Sequence, residues 1–114
     1  MVIEPLDGVF AICKVEDFSQ VDLDASFCFV GKTDCERSLV CLSDDVPDNA
    51  TVVDPGWRAL RVQGPLDLSL TGILAGIAEK LAGAESPLFA VSTFDTDYIL
   101  VKEKDFERAL AALG

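Results

Sequence analysis

The second half of the chain constrains the fold most, because its hydrophobic periodicity changes in a fixed order between strand and helix. Residues 57–63 alternate as a half-buried strand does, with Leu60 and Val62 on one face and Arg58 of the same parity near the start. From Thr71 the apolar residues recur at helical spacing, and residues 87–93 and 97–102 are again strand-like. The last segment places four apolar residues on one helical face: Phe106, Ala109, Leu110 and Leu113. The predicted order is therefore β-α-β-β-α.

The first half of the chain is richer in strands and poorer in helix. Its strand-like segments are residues 8–15, 27–33 and 38–43. Residues 44–56 form a polar, proline-containing connection, which is typical of a boundary between units. We therefore predict an N-terminal, strand-rich and degenerate unit over residues 1–56 and a C-terminal unit over residues 57–114.

The predicted C-terminal unit lacks one strand. A sheet with this element order is usually completed by a fourth strand, in the β-α-β-β-α-β plan, but the sequence ends at Gly114 directly after the last helix. The missing strand must come from the first half or from another subunit. The strongest apolar strand of the first half is residues 8–15, and we expect it to complete the sheet. The two units would then be interlocked.

Charge limits the partners that the chain can bind. Nine Lys and Arg residues against twenty Asp and Glu residues give a net charge of −11. Phosphate backbones and anionic membrane surfaces are repelled by such a chain, so we expect neither nucleic acid nor membrane as a partner. A cationic or zwitterionic small ligand is compatible with this charge.

The sequence predicts a cytoplasmic protein. No apolar run approaches the roughly 18 residues of a membrane span, and Glu4 and Asp7 stand where a signal peptide carries lysines. A chain of 114 residues is also long enough to fold without a disulfide or a structural metal.

Catalysis and cofactors are not indicated. The chain contains no histidine, which removes Ser-His-Asp and Cys-His nucleophile systems and weakens most catalytic zinc schemes. The four cysteines (Cys13, Cys28, Cys35 and Cys41) form no CxxC pair, so buried free thiols are favoured over a zinc site. We therefore predict a protein that is not an enzyme and holds no metal or cofactor.

Asp95 and Asp97 are unusual because two aspartates stand one residue apart between strand-like segments. Aspartate is common in tight turns, and the short connection is compatible only with a hairpin. A metal site formed by the two aspartates as a DxD motif is less favoured, since no nucleotide-binding loop accompanies the motif. Glycoside hydrolysis is also less favoured, because a two-residue spacing does not place opposed carboxylates across a sugar. A calcium site at Asp44, Asp45 and Asp48 lacks the twelve-residue loop pattern.

Three stretches, "GWRALRV", "GPLDLSLTGILAGIAEKLAG" and "FAVSTFDTDYILVKEKDFERALAAL", resemble ACT domains. The resemblance is closest to small tandem-ACT proteins similar to the aspartate kinase regulatory region, and it extends more loosely over the first half. It implies an α+β fold of two ferredoxin-like βαββαβ units, with antiparallel sheets and helices on one face. One departure is Pro87, which cannot donate a ladder hydrogen bond, so the strand there begins later or lies at an edge.

The candidate ligand site combines two segments. The start of the first helix presents unpaired backbone N–H groups and the positive end of the helix dipole, which suits a carboxylate; the residues are equally suited to capping the helix. The aspartates of the hairpin can bind an ammonium group through a carboxylate. Their alternative role is to shape the turn. The resemblance places an effector site beside the helix start. The predicted ligand-binding residues are Leu68, Ser69, Leu70, Thr71, Gly72, Ile73, Ser92, Thr93, Phe94, Asp95 and Asp97.

Two functions follow from these patterns. The first is an amino-acid-binding ACT-type regulatory or sensor protein, which acts as a homodimer and biases its assembly or conformation when a zwitterionic ligand binds. The second is a structural or protein-interaction module that keeps the ACT fold but binds no ligand. A thermal-shift screen against amino acids separates the two.

Overall fold

The structure, a computed structural model, describes residues 3–62 and 72–114, and it has the α+β fold that the sequence predicts. The strands are β1 (Ile3–Pro5), β2 (Phe10–Val15), β3 (Cys28–Lys32), β4 (Arg37–Leu42), β5 (Ala50–Val62), β6 (Phe89–Ser92) and β7 (Asp97–Lys102). The helices are α1 (Ile73–Gly83) and α2 (Phe106–Leu113). From β5 onward the predicted order β-α-β-β-α is confirmed.

The chain divides into two compact units. One, the inserted unit, is Gly8–Trp57, and the other, the C-terminal unit, combines Met1–Asp7 with Arg58–Gly114. The division falls inside β5, whose first half belongs to the inserted unit and whose second half belongs to the C-terminal unit. Residues 1–7 thus group with the second half of the chain, unlike the division at residue 56 that the sequence predicts.

In the C-terminal unit the strand order is β1-β5-β7-β6, with antiparallel pairing of β1 with β5 and of β6 with β7. Alternate residues of β5 and β7 point to the same core as both helices, so the helices cover one face of these strands. The buried residues of this core are Leu60, Val62, Ile77, Leu81, Ile99, Val101, Phe106 and Ala109.

The strand that completes the C-terminal unit is β1, and the prediction that residues 8–15 do so is wrong. β1 pairs with the second half of β5, from Ile3 opposite Val62 to Pro5 opposite Leu60. β2 is unable to take that place because it lies between β4 and the first half of β5, which occupy both of its edges.

The inserted unit has the strand order β3-β4-β2-β5. In order along the chain this is second, third, first and fourth strand, the same arrangement as in the C-terminal unit if β1 is counted as its last strand. Residues 16–27 form turns where α1 stands in the other unit, and Ser43–Asp45 is a short 3-10 helix. The unit is therefore a version of the same plan without its α-helices.

The bounds of three elements, β5, α1 and β6, show where local sequence signals decide the structure and where they do not. β5 begins at Ala50, so much of the predicted polar connection 44–56 is strand, because these residues pair with β2, with two shifts of register along the pair. α1 ends at Gly83, and the residue in the left-handed region after it is Glu85, at φ 57°. β6 begins at Phe89, two residues after Pro87, and lies at the end of the strand order.

Over the part of the chain that the structure describes, the helices are too short and too polar to cross a membrane.

Candidate functional site

The β6–β7 hairpin is built around a four-residue turn. Ser92 pairs with Asp97 across the two strands, and the N–H of Thr93 donates to the carbonyl of Thr96 at 2.8 Å. The hydroxyl of Thr93 donates to the same carbonyl at 3.0 Å. The predicted hairpin is confirmed, and the position of Thr93 is fixed by both its backbone and its side chain.

The two aspartates of this hairpin have different environments. Asp97 is the first residue of β7 and is partly buried, and its Oδ1 accepts a hydrogen bond of 2.6 Å from the hydroxyl of Ser92. Asp95 lies in the turn and is exposed. The Ser92 contact orients the carboxylate of Asp97, whereas Asp95 points to solvent with its neighbour Phe94, which is 81% exposed.

Thr96 is not among the site residues that the sequence predicts. It is buried although it stands in a turn, with 8% of its surface exposed, and its hydroxyl donates a short hydrogen bond to the carbonyl of Val62. Val62 is the last residue of β5. The contact therefore ties the hairpin to the end of the strand that leads toward α1.

The start of α1 is only partly within the described residues. Leu68, Ser69, Leu70 and Thr71, predicted to contact a ligand, lie outside them. Gly72 is the N-cap residue at φ 85°, where a side chain is strained, and the nearest described atoms leave space open around a Cβ placed there. Helix capping by a side chain at Gly72 is therefore not possible, and the first turn of α1 contains no acidic residue.

The hairpin and the start of α1 meet the same hydrophobic core. Val62, whose carbonyl holds Thr96, is buried in the core of the C-terminal unit, and Ile73, the first residue of α1, packs against that core. Both candidate segments are thus attached to the same hydrophobic core. The predicted roles of Gly72, Ile73, Ser92, Thr93 and Asp97 as ligand contacts remain predictions.

The inserted unit contains a second turn of the same kind. The N–H of Thr33 donates to the carbonyl of Glu36 at 3.0 Å, and the Thr33 hydroxyl accepts from the N–H groups of Cys35 and Glu36 at 3.0 and 3.1 Å. Thr33 and Thr93 are 60 residues apart, and β4 with its 3-10 helix matches β7 with the 3-10 helix Glu103–Asp105 at the same offset. This repeat is the signal that identifies the turn threonines in the sequence.

The cysteines are free thiols. Cys13 and Cys41 are buried in the core of the inserted unit, Cys28 packs against it, and Cys35 is exposed in the turn. Burial, with the neighbouring Cys13 thiol as the next cause, raises the pKa of Cys41 from 9.0 to about 12. Such a thiol stays protonated near neutral pH and is a poor nucleophile.

Across residues 3–62 and 72–114 there is no group of three or more Cys, Asp or Glu side chains arranged to hold a metal ion. The acidic residues of the turn Asp44–Asp45 line a surface groove with Gly8, Val9, Leu42 and Ser43. The site chemistry that the described residues provide is therefore hydrogen bonding and charge, supplied by hydroxyls, backbone groups and the Asp97 carboxylate.

Comparison with known proteins identifies the family. Residues 52–114 match the family described as the ACT domain. A crystal structure of a protein from Agrobacterium tumefaciens is 33% identical, with a TM-score of 0.84 over 97% of this chain and 84% of that one. Aspartate kinase from Clostridium acetobutylicum, an allosteric enzyme, is 13% identical with a TM-score of 0.69, and the match covers 97% of this chain and 33% of the kinase.

A third structure, assigned as a C-terminal regulatory domain of aspartate kinase from Porphyromonas gingivalis, is 20% identical with a TM-score of 0.64. The match covers 98% of this chain and 93% of that domain. The chain belongs to the ACT domain family. It shares the fold of the aspartate kinase regulatory region, as its sequence predicts.

Proposed function

We propose that the chain is a regulatory ACT protein without catalytic activity, which acts in the cytoplasm as a homodimer and binds an amino acid or a similar zwitterion. The observation that carries this proposal is the hairpin of the C-terminal unit. There Ser92 orients the Asp97 carboxylate at 2.6 Å, and Thr96 ties the turn to Val62, ahead of α1. The regulatory role of related aspartate kinase domains supports the proposal.

The ligand carboxylate would bind at the N-terminus of α1. Unpaired backbone N–H groups there point toward an anion, and the helix dipole adds about 0.3–1 kcal/mol at an exposed site. Gly72 supports this placement, because the absence of a Cβ leaves the approach open. Ile73, the following residue, begins the helix and packs on the core.

The ligand ammonium group would bind at the hairpin. Charge-assisted hydrogen bonds to a carboxylate are about twice as strong as neutral ones, and Asp97 is the partly buried carboxylate of the turn. Its second oxygen is the proposed acceptor, while the first accepts from Ser92. Phe94 and Asp95, both exposed, would contribute at the rim of the site.

A thermal-shift screen of the full chain against the twenty amino acids, with nucleotides as controls, tests the proposal. A ligand present at one hundred times its Kd stabilises the folded protein by about 2.7 kcal/mol, which appears as a clear rise in Tm. If no amino acid raises Tm, the ligand-free interaction module is the better description.

Substitution of the hairpin locates the site once a ligand is found. Asp97→Asn should weaken binding about tenfold or more, since hydrogen bonds to charged groups contribute roughly 1.5–3 kcal/mol. Asp95→Asn, in the same turn but exposed, is the matched control and should leave the Kd nearly unchanged. If wild type and Asp97→Asn bind the ligand with equal affinity, Asp97 has only a structural role in the turn.

A further inference from the structure

Three of the thiols lie together on one face of the inserted unit. Cys13 on β2 and Cys41 on β4 are buried in the core of this unit, and Cys28 on β3 packs against the same core. The strand order β3-β4-β2 places Cys41 between the other two. The Cys41 thiol is hydrogen-bonded to the Cys13 thiol, and Cys28 stands directly opposite Cys41 in the register of β3 with β4. Cys41 therefore has two neighbouring thiols.

The register gives Cys28 and Cys41 the spacing that a disulfide needs. Opposed residues of an antiparallel pair alternate between hydrogen-bonded and non-hydrogen-bonded, with Cα atoms about 5.5 and about 4.5 Å apart. The N–H of Thr33 donates to the carbonyl of Glu36, so these two residues are a hydrogen-bonded pair. Cys28 and Cys41 are five pairs further along the same register, and an odd number of steps makes them a non-hydrogen-bonded pair. Their Cα spacing of about 4.5 Å lies within the roughly 4.4–6.8 Å of disulfides.

Cys13 is less well placed to form a bond with Cys41. In the register of β2 with β4, Cys13 is opposite Leu39, and Cys41 is opposite Ala11. Cys13 and Cys41 are thus diagonal neighbours, a relation that ordinarily separates residues by about 7–8 Å. That separation exceeds the Cα spacing of disulfides, roughly 6.8 Å at most. Cys28 is therefore the partner that the register favours.

Packing alone does not require this pair of thiols. The offset of 60 residues that relates the two turns also relates Cys28 to Leu88 and Cys41 to Val101. Val101 is buried in the core of the C-terminal unit, and Leu88 packs against it. Aliphatic side chains therefore fill the matching positions there. Two opposed thiols add a chemistry that leucine and valine lack, a covalent link between neighbouring strands.

We infer that Cys28 and Cys41 are a modification site, at which hydrogen peroxide forms a disulfide between β3 and β4. The Cys28 thiolate attacks one peroxide oxygen and the O–O bond breaks, which gives Cys28 sulfenic acid and a hydroxide that takes up a proton to leave as water. The Cys41 sulfur then displaces the hydroxyl of the sulfenic acid, and the Cys41 proton leaves with that hydroxyl as a second water. The two thiols lose two electrons, which the peroxide takes up.

Cys28 reacts first because it is the more accessible thiol. It is partly exposed on β3, the strand that ends the order of its unit, whereas Cys41 is buried. Burial, with the carboxylates of Asp22 and Asp45, raises the pKa of Cys28, so little thiolate is present at neutral pH. Oxidation is therefore slow at neutral pH and faster at alkaline pH.

The disulfide fixes β3, an edge strand, to β4 and encloses the turn that contains Thr33 and Cys35. Closing this loop restricts the unfolded chain and so stabilises the folded unit. In a reducing compartment such a link forms only under oxidation, as redox-sensing disulfides do. The inference goes beyond the proposed function and does not depend on the ligand.

Peptide mapping of the oxidised full chain tests the inference. Trypsin places each cysteine in a separate peptide, and these peptides are residues 1–14, 15–32, 33–37 and 38–58. The folded protein is treated with hydrogen peroxide, and the remaining thiols are alkylated before digestion. Mass spectrometry should then find residues 15–32 linked to residues 38–58. Dithiothreitol should reverse the link, and the oxidised protein should unfold at a Tm several degrees above that of the reduced protein.

Cys35→Ser is the matched control, since Cys35 is exposed in the turn, and it should leave the link in place. Cys28→Ser should abolish the link. Peroxide treatment in concentrated urea should give mixed links, because the register is then lost. A single link from residues 1–14 to residues 38–58 in the folded protein assigns the site to Cys13 and overturns the Cys28 pair.

Thiols that stay unlinked in the folded protein after prolonged peroxide treatment, whether alkylated or oxidised further, overturn the disulfide itself. The amino-acid screen decides the ligand separately, so failure of one proposal is distinguishable from failure of the other.

Discussion

Glu85 shows how a single backbone position limits the stability of the C-terminal unit. It follows α1 at φ 57°, and the N–H of Ser86 donates to the carbonyl of Leu81 at 2.9 Å, which closes the helix end. Glycine is favoured at this place because a Cβ is strained in the left-handed region. Arg108 holds the turn through the carbonyls of Ala84 and Glu85, at 2.7 and 3.3 Å.

Glu85→Gly should therefore raise the free energy of unfolding by roughly 0.5–1 kcal/mol, since the left-handed strain disappears while the carbonyl contact to Arg108 stays. Urea denaturation measures the change. Glu85→Ala, which keeps a Cβ, should give no gain and serves as the control. A loss of stability in Glu85→Gly would contradict the strain.

The buried thiol of Cys41 predicts a loss of stability at alkaline pH. Its folded-state pKa, about 12, lies above the ordinary 9.0 because of burial. Between these values the unfolded chain loses this proton more readily than the folded one. The Cys41 thiol therefore lowers the free energy of unfolding as pH rises from 9 to 12 and makes no such contribution below 9. Cys41→Val should flatten this fall in pH-dependent urea titrations, whereas Cys35→Ser, a surface thiol change, should not. An equally steep fall in Cys41→Val would refute this assignment.

Residues of the candidate site were predictable from the sequence to unequal degrees. The Asp-x-Asp pattern of Asp95 and Asp97 identified the hairpin, because aspartate spacing and flanking strand residues are local signals. Thr96 was not identified, since its role depends on the carbonyl of Val62, 34 positions away. Long-range hydrogen bonds of this kind leave no local pattern.

At the scale of elements, β1 is the strand that completes the C-terminal unit. Glu4 and Arg61 form an ion pair of 3.0 Å across β1 and β5, and the N–H of Leu6 donates to the carbonyl of Ala59 at 2.9 Å. Leu6 is buried, whereas the side chains of the ion pair are about one-third exposed. The burial of Leu6 should therefore stabilise the pairing of β1 with β5 more than the Glu4–Arg61 ion pair does.

Leu6→Ala should lower the free energy of unfolding by about 2–4 kcal/mol, and Glu4→Ala, its control, by less than about 1 kcal/mol. Hydrogen exchange should show the added opening of Leu6→Ala in the second half of β5 rather than in β3 and β4. Equal protection loss in β3 and β4 would contradict the assignment of residues 1–7 to the C-terminal unit.

The sequence predicts residues 8–15, and not residues 3–5, as the completing strand because residues 3–5 carry too little strand signal to be recognised. Strand prediction rests on the length and apolar character of a segment, and β1 has three residues, including Pro5. The longer β2 pairs on both sides within the inserted unit. The pairing of a strand depends on which sheet edges are open in the folded structure. Hydrophobic periodicity contains no information on those edges.

At the scale of the whole molecule, the two units divide the charge unevenly. Gly8–Trp57 contains ten acidic and three basic residues, whereas the C-terminal unit contains ten acidic and six basic residues. The unit with the candidate site is thus the less negative one, and an anionic group of a zwitterion meets less repulsion there. Both described α-helices belong to that unit. Among the described residues, α-helix N-termini therefore occur only there.

We propose that one ligand joins the start of α1 to the β6–β7 hairpin through its two opposite charges. Isothermal titration of the amino acid found by screening, of its amide and of its N-acetyl derivative tests this most directly. We expect loss of either charge to weaken binding at least tenfold, about 1.4 kcal/mol for each charge-assisted contact. Equal affinity for the amino acid and both derivatives would contradict it.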